Sequence, residues 1–122
     1  MSRIKKMGEI TVRPKQSYKN SVIRQFCFDE KWEIGLISQK FISKRNINDG
    51  WQFGNEQHLF SFVNNFPEKI KKFPVVALCN SKHDFSSQAW FDSVSEEIVI
   101  NFPSFDTEFD SDTKFILVKR IS

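Results

Sequence analysis

Apolar residues in this chain fall mostly into short alternating runs, and one stretch breaks that rhythm. Ile10 and Val12 alternate with Glu9, Thr11 and Arg13, which predicts a short strand ended by Pro14. Val22, Arg24, Phe26 and Phe28 share one parity, with Ile23, Gln25 and Cys27 on the other, so a strand is expected over Ser21 to Phe28. After a turn at Asp29-Glu30-Lys31, Trp32, Ile34 and Leu36 alternate again, and the expected partner is the preceding strand, as a hairpin. From Ile37 to Ile42 the pattern fits strand first and helical spacing afterwards. Ser43 to Gly54 is rich in turn formers, and Trp51 and Phe53 within it suit a two-residue edge strand.

The break comes at Leu59, Phe62, Val63 and Phe66, spaced i, i+3, i+4 and i+7, the stripe of an amphipathic helix. Asn55 is placed to cap it, with Glu56 in the first turn. Pro67 opens a second short helix carrying Glu68, Ile70 and Phe73, and Pro74 stops it. Val75 to Cys79 is an apolar run suited to a central strand. Ser87 to Phe91, Glu97 to Phe102 and Lys114 to Ile121 follow as three more strands. No repeat, low-complexity tract or linker divides the chain, so one domain is expected over residues 1–122. The expected class is α+β: a mainly antiparallel sheet of about five to seven short strands, with one or two helices inserted near residues 55–73 and a meander at the end.

Composition sharpens this picture. Hydrophobic residues make up 39%, aromatics 15%, and 14 are Phe, which excludes intrinsic disorder and predicts a core built from rings. Cys27 and Cys79 each lie in an apolar run and are expected as reduced, buried thiols. The N-terminus is charged with no apolar core after it, and no run approaches the roughly 20 apolar residues of a membrane span. The expected location is the cytoplasm.

Net charge is +3, but it is split: residues 1–46 hold 11 basic and 4 acidic residues, and residues 47–122 hold 7 and 11. Residues 83–113 carry Asp84, Asp92, Glu96, Glu97, Asp106, Glu108, Asp110 and Asp112 and no Lys or Arg. At the chain's average of 18 basic residues in 122, a stretch of that length would hold about four or five. Phe85, Trp90, Phe91, Phe102, Phe105 and Phe109 are interleaved with these acids. Asp106, Glu108, Asp110 and Asp112 alternate, so an extended loop would project them to one side.

Candidate chemistry is sparse. Cys27, His58, Cys79 and His83 make a numerical zinc set, but the spacing matches no compact finger, and His58 is expected to be exposed or half-buried in the helix's first turn. Ser81, His83, Asp84, Ser86 and Ser87 crowd one stretch without the context of a catalytic triad. The acidic loop lacks the Gly bend and terminal Glu of a calcium loop, and no glycine-rich phosphate loop exists. No catalytic residue, metal or cofactor is therefore assigned, and the chain is not expected to be an enzyme.

Acid beside aromatic, without counter-charge, suits a surface that receives a basic protein. The expected function is a small inhibitor that neutralises a basic toxin or nuclease domain. In kind, though by no motif, this resembles the bacterial immunity proteins. The partner surface assigned from sequence is Asp84, Trp90, Asp92, Glu96, Glu97, Phe105, Asp106, Glu108, Phe109, Asp110 and Asp112. A phage-encoded inhibitor of a host defence nuclease is the close variant. The counter-case is a nucleic-acid-binding module using Lys5, Lys6, Arg13, Lys15, Lys19, Arg24, Lys40, Lys44 and Arg45, with Tyr18 and Trp32 for stacking. Those charges are spread over several elements, which disfavours nucleic acid as the partner. A homodimer docking the basic half on the acidic one is a further option.

Overall fold

The computed structural model of the chain describes residues 3–12, 30–42, 47, 49–78, 86–104 and 107–121. These form an α+β arrangement in which seven strands share one sheet and two helices lie on it. In chain order they are β1 (Lys5–Val12), β2 (Glu30–Ser38), a 3-10 turn (Gln39–Phe41), β3 (Trp51–Phe53), α1 (Glu56–Asn65), α2 (Pro67–Ile70), β4 (Val75–Ala77), β5 (Ser87–Asp92), β6 (Glu97–Asn101) and β7 (Lys114–Arg120).

The last strand sits in the middle. The sheet order is β1-β2-β7-β4-β5-β6, and β3 pairs with β7 beside β4. Sequence explains why β7 is central. Its Ile116 and Val118 point to one face and its Phe115 and Leu117 to the other, and all four are buried. A strand that is apolar on both faces needs cover on both. On one face, Ile116 and Val118 meet Trp32, Ile34 and Leu36 of β2, Val75 of β4, and Leu59, Phe62 and Ile70 of the helices. On the other, Phe115 and Leu117 join Ile4, Ile37 and Val76, covered by Trp51, Phe53, Phe41 and Phe109.

Alternation in the sequence finds β1, β2, β5 and β6, and the 3.6-residue stripe finds α1, which buries Leu59 and Phe62. Pro67 stands at the first position of α2 as expected. The segment after Ile37 is strand to Ser38 and then a single 3-10 turn. In β1 the register slips between Lys6 and Gly8. Gly8 takes φ 145° there, and the Phe66 ring lies 3.1 Å from where a Cβ would stand, so the bulge needs glycine for both conformation and space.

Three expectations are corrected. The strand predicted over 21–28 lies outside the described residues, and where a hairpin with it was expected for β2, the two edges of β2 are paired with β1 and β7. The final strands are not a simple meander. β4, β5 and β6 run antiparallel in series, but β7 returns to the centre and lies parallel to β4, with Val76 beside Phe115. The reason is burial, because β6 would leave one face of so apolar a strand open at the sheet edge. Third, His58 is buried, at 5% exposure, under the Trp32 ring. No helix among the described residues is long and apolar enough to cross a membrane.

Candidate partner-binding site

The acids of the C-terminal third that the structure describes form two groups. Asp92, Glu96 and Glu97 belong to the β5–β6 hairpin, and Glu108, Asp110 and Asp112 to the loop that enters β7. Asp84, Phe105 and Asp106 lie outside the described residues.

Strand register fixes the first group. Asp92 stands opposite Glu97, Trp90 opposite Val99, and Gln88 opposite Asn101, and all six share one face of the sheet. Phe91 and Ile98 take the other face and pack on the helix-side core. Directly opposed carboxylates are unfavourable in an antiparallel pair. The turn that holds them is tight: Asp92 Oδ1 accepts the Val94 N–H at 3.0 Å, and the Asp92 carbonyl accepts the Glu96 N–H at 2.7 Å. Glu96 is left at φ 59°, a conformation that costs a non-glycine residue of order 1 kcal/mol.

One step along the strand, about 7 Å from the carboxylate pair, Trp90 and Val99 are half-buried. Two carboxylates and two amides thus frame an indole. Apolar groups are exposed around the hairpin: Val94 at its tip is 93% exposed and Phe102 just beyond β6 is 53% exposed, while Ile100, opposite Ala89, is exposed on the other face. β6 ends the sheet order, so its outer backbone edge has no paired strand among the described residues.

The second group reaches the same end of the sheet. β7 starts at Lys114 beside Val75, Val75 faces Ala89, and Asp92 lies three residues further along β5. Two strand spacings, about 10 Å, therefore separate the start of β7 from β5. The loop is not extended, so the simple alternation does not aim its acids. Thr107 N–H turns back to the Ser104 carbonyl at 3.1 Å and Thr113 N–H to the Asp110 carbonyl at 3.0 Å. Phe109, assigned from sequence to the partner surface, is half-buried, edge-on to Phe115 with ring centres 5.8 Å apart. Its ring covers the second core.

None of the ion pairs among the described residues involves these six carboxylates; the pairs are Lys6–Glu33, Lys71–Glu68 and Arg120–Glu30. Lys71 approaches the hairpin from its other face, 5.6 Å over the Phe91 ring. Basic residues do gather at this end of the sheet, but on the β1–β2 side. Arg3, Lys5 and Lys114 line one cleft there, and Lys40 and Lys114 line another. Sequence spacing gave no sign of that convergence, since only strand register brings Lys114 next to Ser38. Lys6, by contrast, is paired 3.3 Å from Glu33. Val99, Gln88 and Asn101 were equally invisible, because facing partners are set by the hairpin register.

Among the described residues no three His, Cys, Asp or Glu side chains group to hold a metal ion; Cys27, Cys79 and His83 lie outside them. His58 Nδ1 accepts the Asn55 N–H at 2.9 Å, and burial lowers its pKa below the usual 6.5 against the opposing fields of Glu30 and Glu56. The Ser86 hydroxyl donates to the Pro103 carbonyl. Compared with known protein families, with curated proteins and with solved structures, the chain matches none.

Proposed function

We propose that this chain is a small cytoplasmic inhibitor of the immunity type, which neutralises a basic toxin or nuclease domain and carries out no reaction of its own. The observation that carries the reading is the shared face of Trp90, Val99, Asp92 and Glu97. A lysine or arginine of the partner that stacks on the indole reaches two carboxylates a step away. Nuclease domains are basic because they attract phosphates, so a complementary acidic hairpin side speeds encounter. Val94 at the hairpin tip and Phe102 just past β6 add exposed apolar area nearby, and burying apolar anchors supplies affinity that rim charges do not. Glu108, Asp110 and Asp112 extend the negative field without forming contacts of their own.

The test starts with the protein captured from the host by the tagged full chain, followed by association kinetics of the purified pair. Asp92→Asn with Glu97→Gln should slow association at least tenfold and flatten its salt dependence, while Glu108→Gln slows it less. An acidic partner, or a basic one whose association rate the double variant leaves unchanged, would remove the basis for this assignment.

A further inference from the structure

Independently of the docking face, we infer that the basic, β1–β2 side of this sheet end holds a binding site for a small phosphate-bearing ligand. Two adjoining clefts open where β1 begins, β2 ends and β7 begins. The first, of about 200 Å³, is lined by Arg3, Lys5, Leu36, Ser38, Phe73 and Lys114. The second, of about 500 Å³, is lined by Ser38, Gln39, Lys40, Ser111 and Lys114. Ser38 and Lys114 belong to both, and their side chains are bonded, Nζ donating to Oγ at 2.7 Å. That bond stands where the clefts meet and leaves two further Nζ hydrogens to donate.

Four cations surround this space, and no carboxylate among the described residues lines either cleft. Nor does any ion pair among the described residues involve Arg3, Lys5, Lys40 or Lys114. Three of the four lie over rings instead. The Arg3 guanidinium lies 4.5 Å and Lys40 Nζ 5.1 Å from the centre of the one Phe41 ring, and Lys114 Nζ lies 5.8 Å from that of Phe73. Like charges gathered at the mouth of a cleft with no acid repel one another, and a bound dianion removes that repulsion. A phosphate monoester carries close to two charges at neutral pH, and Arg3 offers a planar fork that fits its oxygens. The first cleft is below the roughly 300–1,000 Å³ of sites for drug-sized ligands, so it takes the phosphoryl group, with Leu36 and Phe73 as an apolar floor. The second cleft is polar, with Gln39 and Ser111 as hydrogen-bonding groups, and takes the remainder of a small polar ester. Asp110 and Asp112 flank Ser111 outside the lining, which disfavours the long phosphate track of a nucleic-acid strand.

The probe is inorganic phosphate, titrated into the full chain by calorimetry and by amide chemical shifts. Saturable binding is expected, with shifts centred on Ser38, Lys40 and Lys114. Lys114→Met should weaken it at least tenfold, as should Arg3→Gln with Lys40→Gln, a pair outside the strands that tests the site should Lys114→Met fail to fold. Lys31→Met, at the opposite end of β2, should leave it unchanged. No saturable phosphate binding, equal weakening by Lys31→Met, or binding of single-stranded oligonucleotides that phosphate does not compete away would each overturn the assignment.

Discussion

Asn55 and His58 cap each other. Asn55 Oδ1 accepts the backbone N–H of His58 at 3.1 Å and that of Gln57 at 2.9 Å, while His58 Nδ1 accepts the backbone N–H of Asn55 at 2.9 Å. This is a capping box with histidine in the place that Glu or Gln usually fills. The imidazole is edge-on to the Trp32 ring, with centroids 4.8 Å apart, so the start of α1 is fastened to β2 by the same side chain.

That arrangement requires neutral histidine, because a protonated Nδ1 donates and cannot accept. Burial lowers the His58 pKa from 6.5, so the unfolded chain takes up the proton first as pH falls. Stability is therefore fully present above 6.5 and declines as pH drops from there through the lowered folded value. Urea denaturation between pH 7.5 and 5 should show this loss. In His58→Gln, which keeps an acceptor at that position, the slope below pH 6.5 should shrink; an unchanged slope would assign it to other groups.

Asn55→Ala removes an acceptor of two helix N–H groups and should cost about 1 kcal/mol by the same measurement. Asn55→Asp should retain most of the stability, since a carboxylate caps the same N–H groups and suits the helix N-terminus.

Gly35 sits in β2 with no room for a side chain. An added Cβ would stand 2.5 Å from Ile4 Cγ2 and 3.2 Å from the Trp51 ring. Gly35→Ala should destabilise by about 1–3 kcal/mol. Ile4→Ala in the same chain should cost less than its value in the native background. Strict additivity of the two in a double-mutant cycle would refute the contact.

Thr113 is fully buried, and its hydroxyl has no hydrogen-bond partner among the described residues. Its N–H, bonded to the Asp110 carbonyl, does not depend on the side chain. Thr113→Val keeps the shape and removes a desolvated oxygen, so it should stabilise by about 1 kcal/mol. A rise in Tm would confirm it, and a fall would point to a partner of that hydroxyl.

Asp92 faces Glu97 with no counter-ion among the described residues. Asp92→Asn should raise stability by about 0.5 kcal/mol through relief of the like-charge pair, and the gain should fade with added salt. The same change should slow association with a basic partner. Opposite movements of stability and binding are the mark of a site kept for recognition.

Local signals carried much of this architecture. The stripe of Leu59, Phe62, Val63 and Phe66, the Asn55 cap and the Pro67 start located both helices, because a helix is specified within a few residues. The run Phe115-Ile116-Leu117-Val118 implied a strand apolar on both faces, and the alternation around Trp32 and Ile98 implied strands apolar on one side or mixed. The charge split also needed no coordinates.

Which strands lie side by side was not legible. Burial of Phe115 and Leu117 draws β7 into the sheet centre from the far end of the chain, where it takes one edge of β2 and β1 takes the other. Register then places Asp92 opposite Glu97 and Lys114 opposite Ser38. From sequence alone follow the helices, the strand-forming runs and the acid-rich third, because each depends on residues near one another in the chain; the expected core of rings does not, since among the described residues only Trp32, Phe62 and Phe115 of the buried apolar side chains are aromatic. The three-dimensional packing alone decided the neighbours of β7, the burial of His58, and the sorting of acids and bases to opposite sides of one sheet end, because those depend on contacts between residues far apart in sequence.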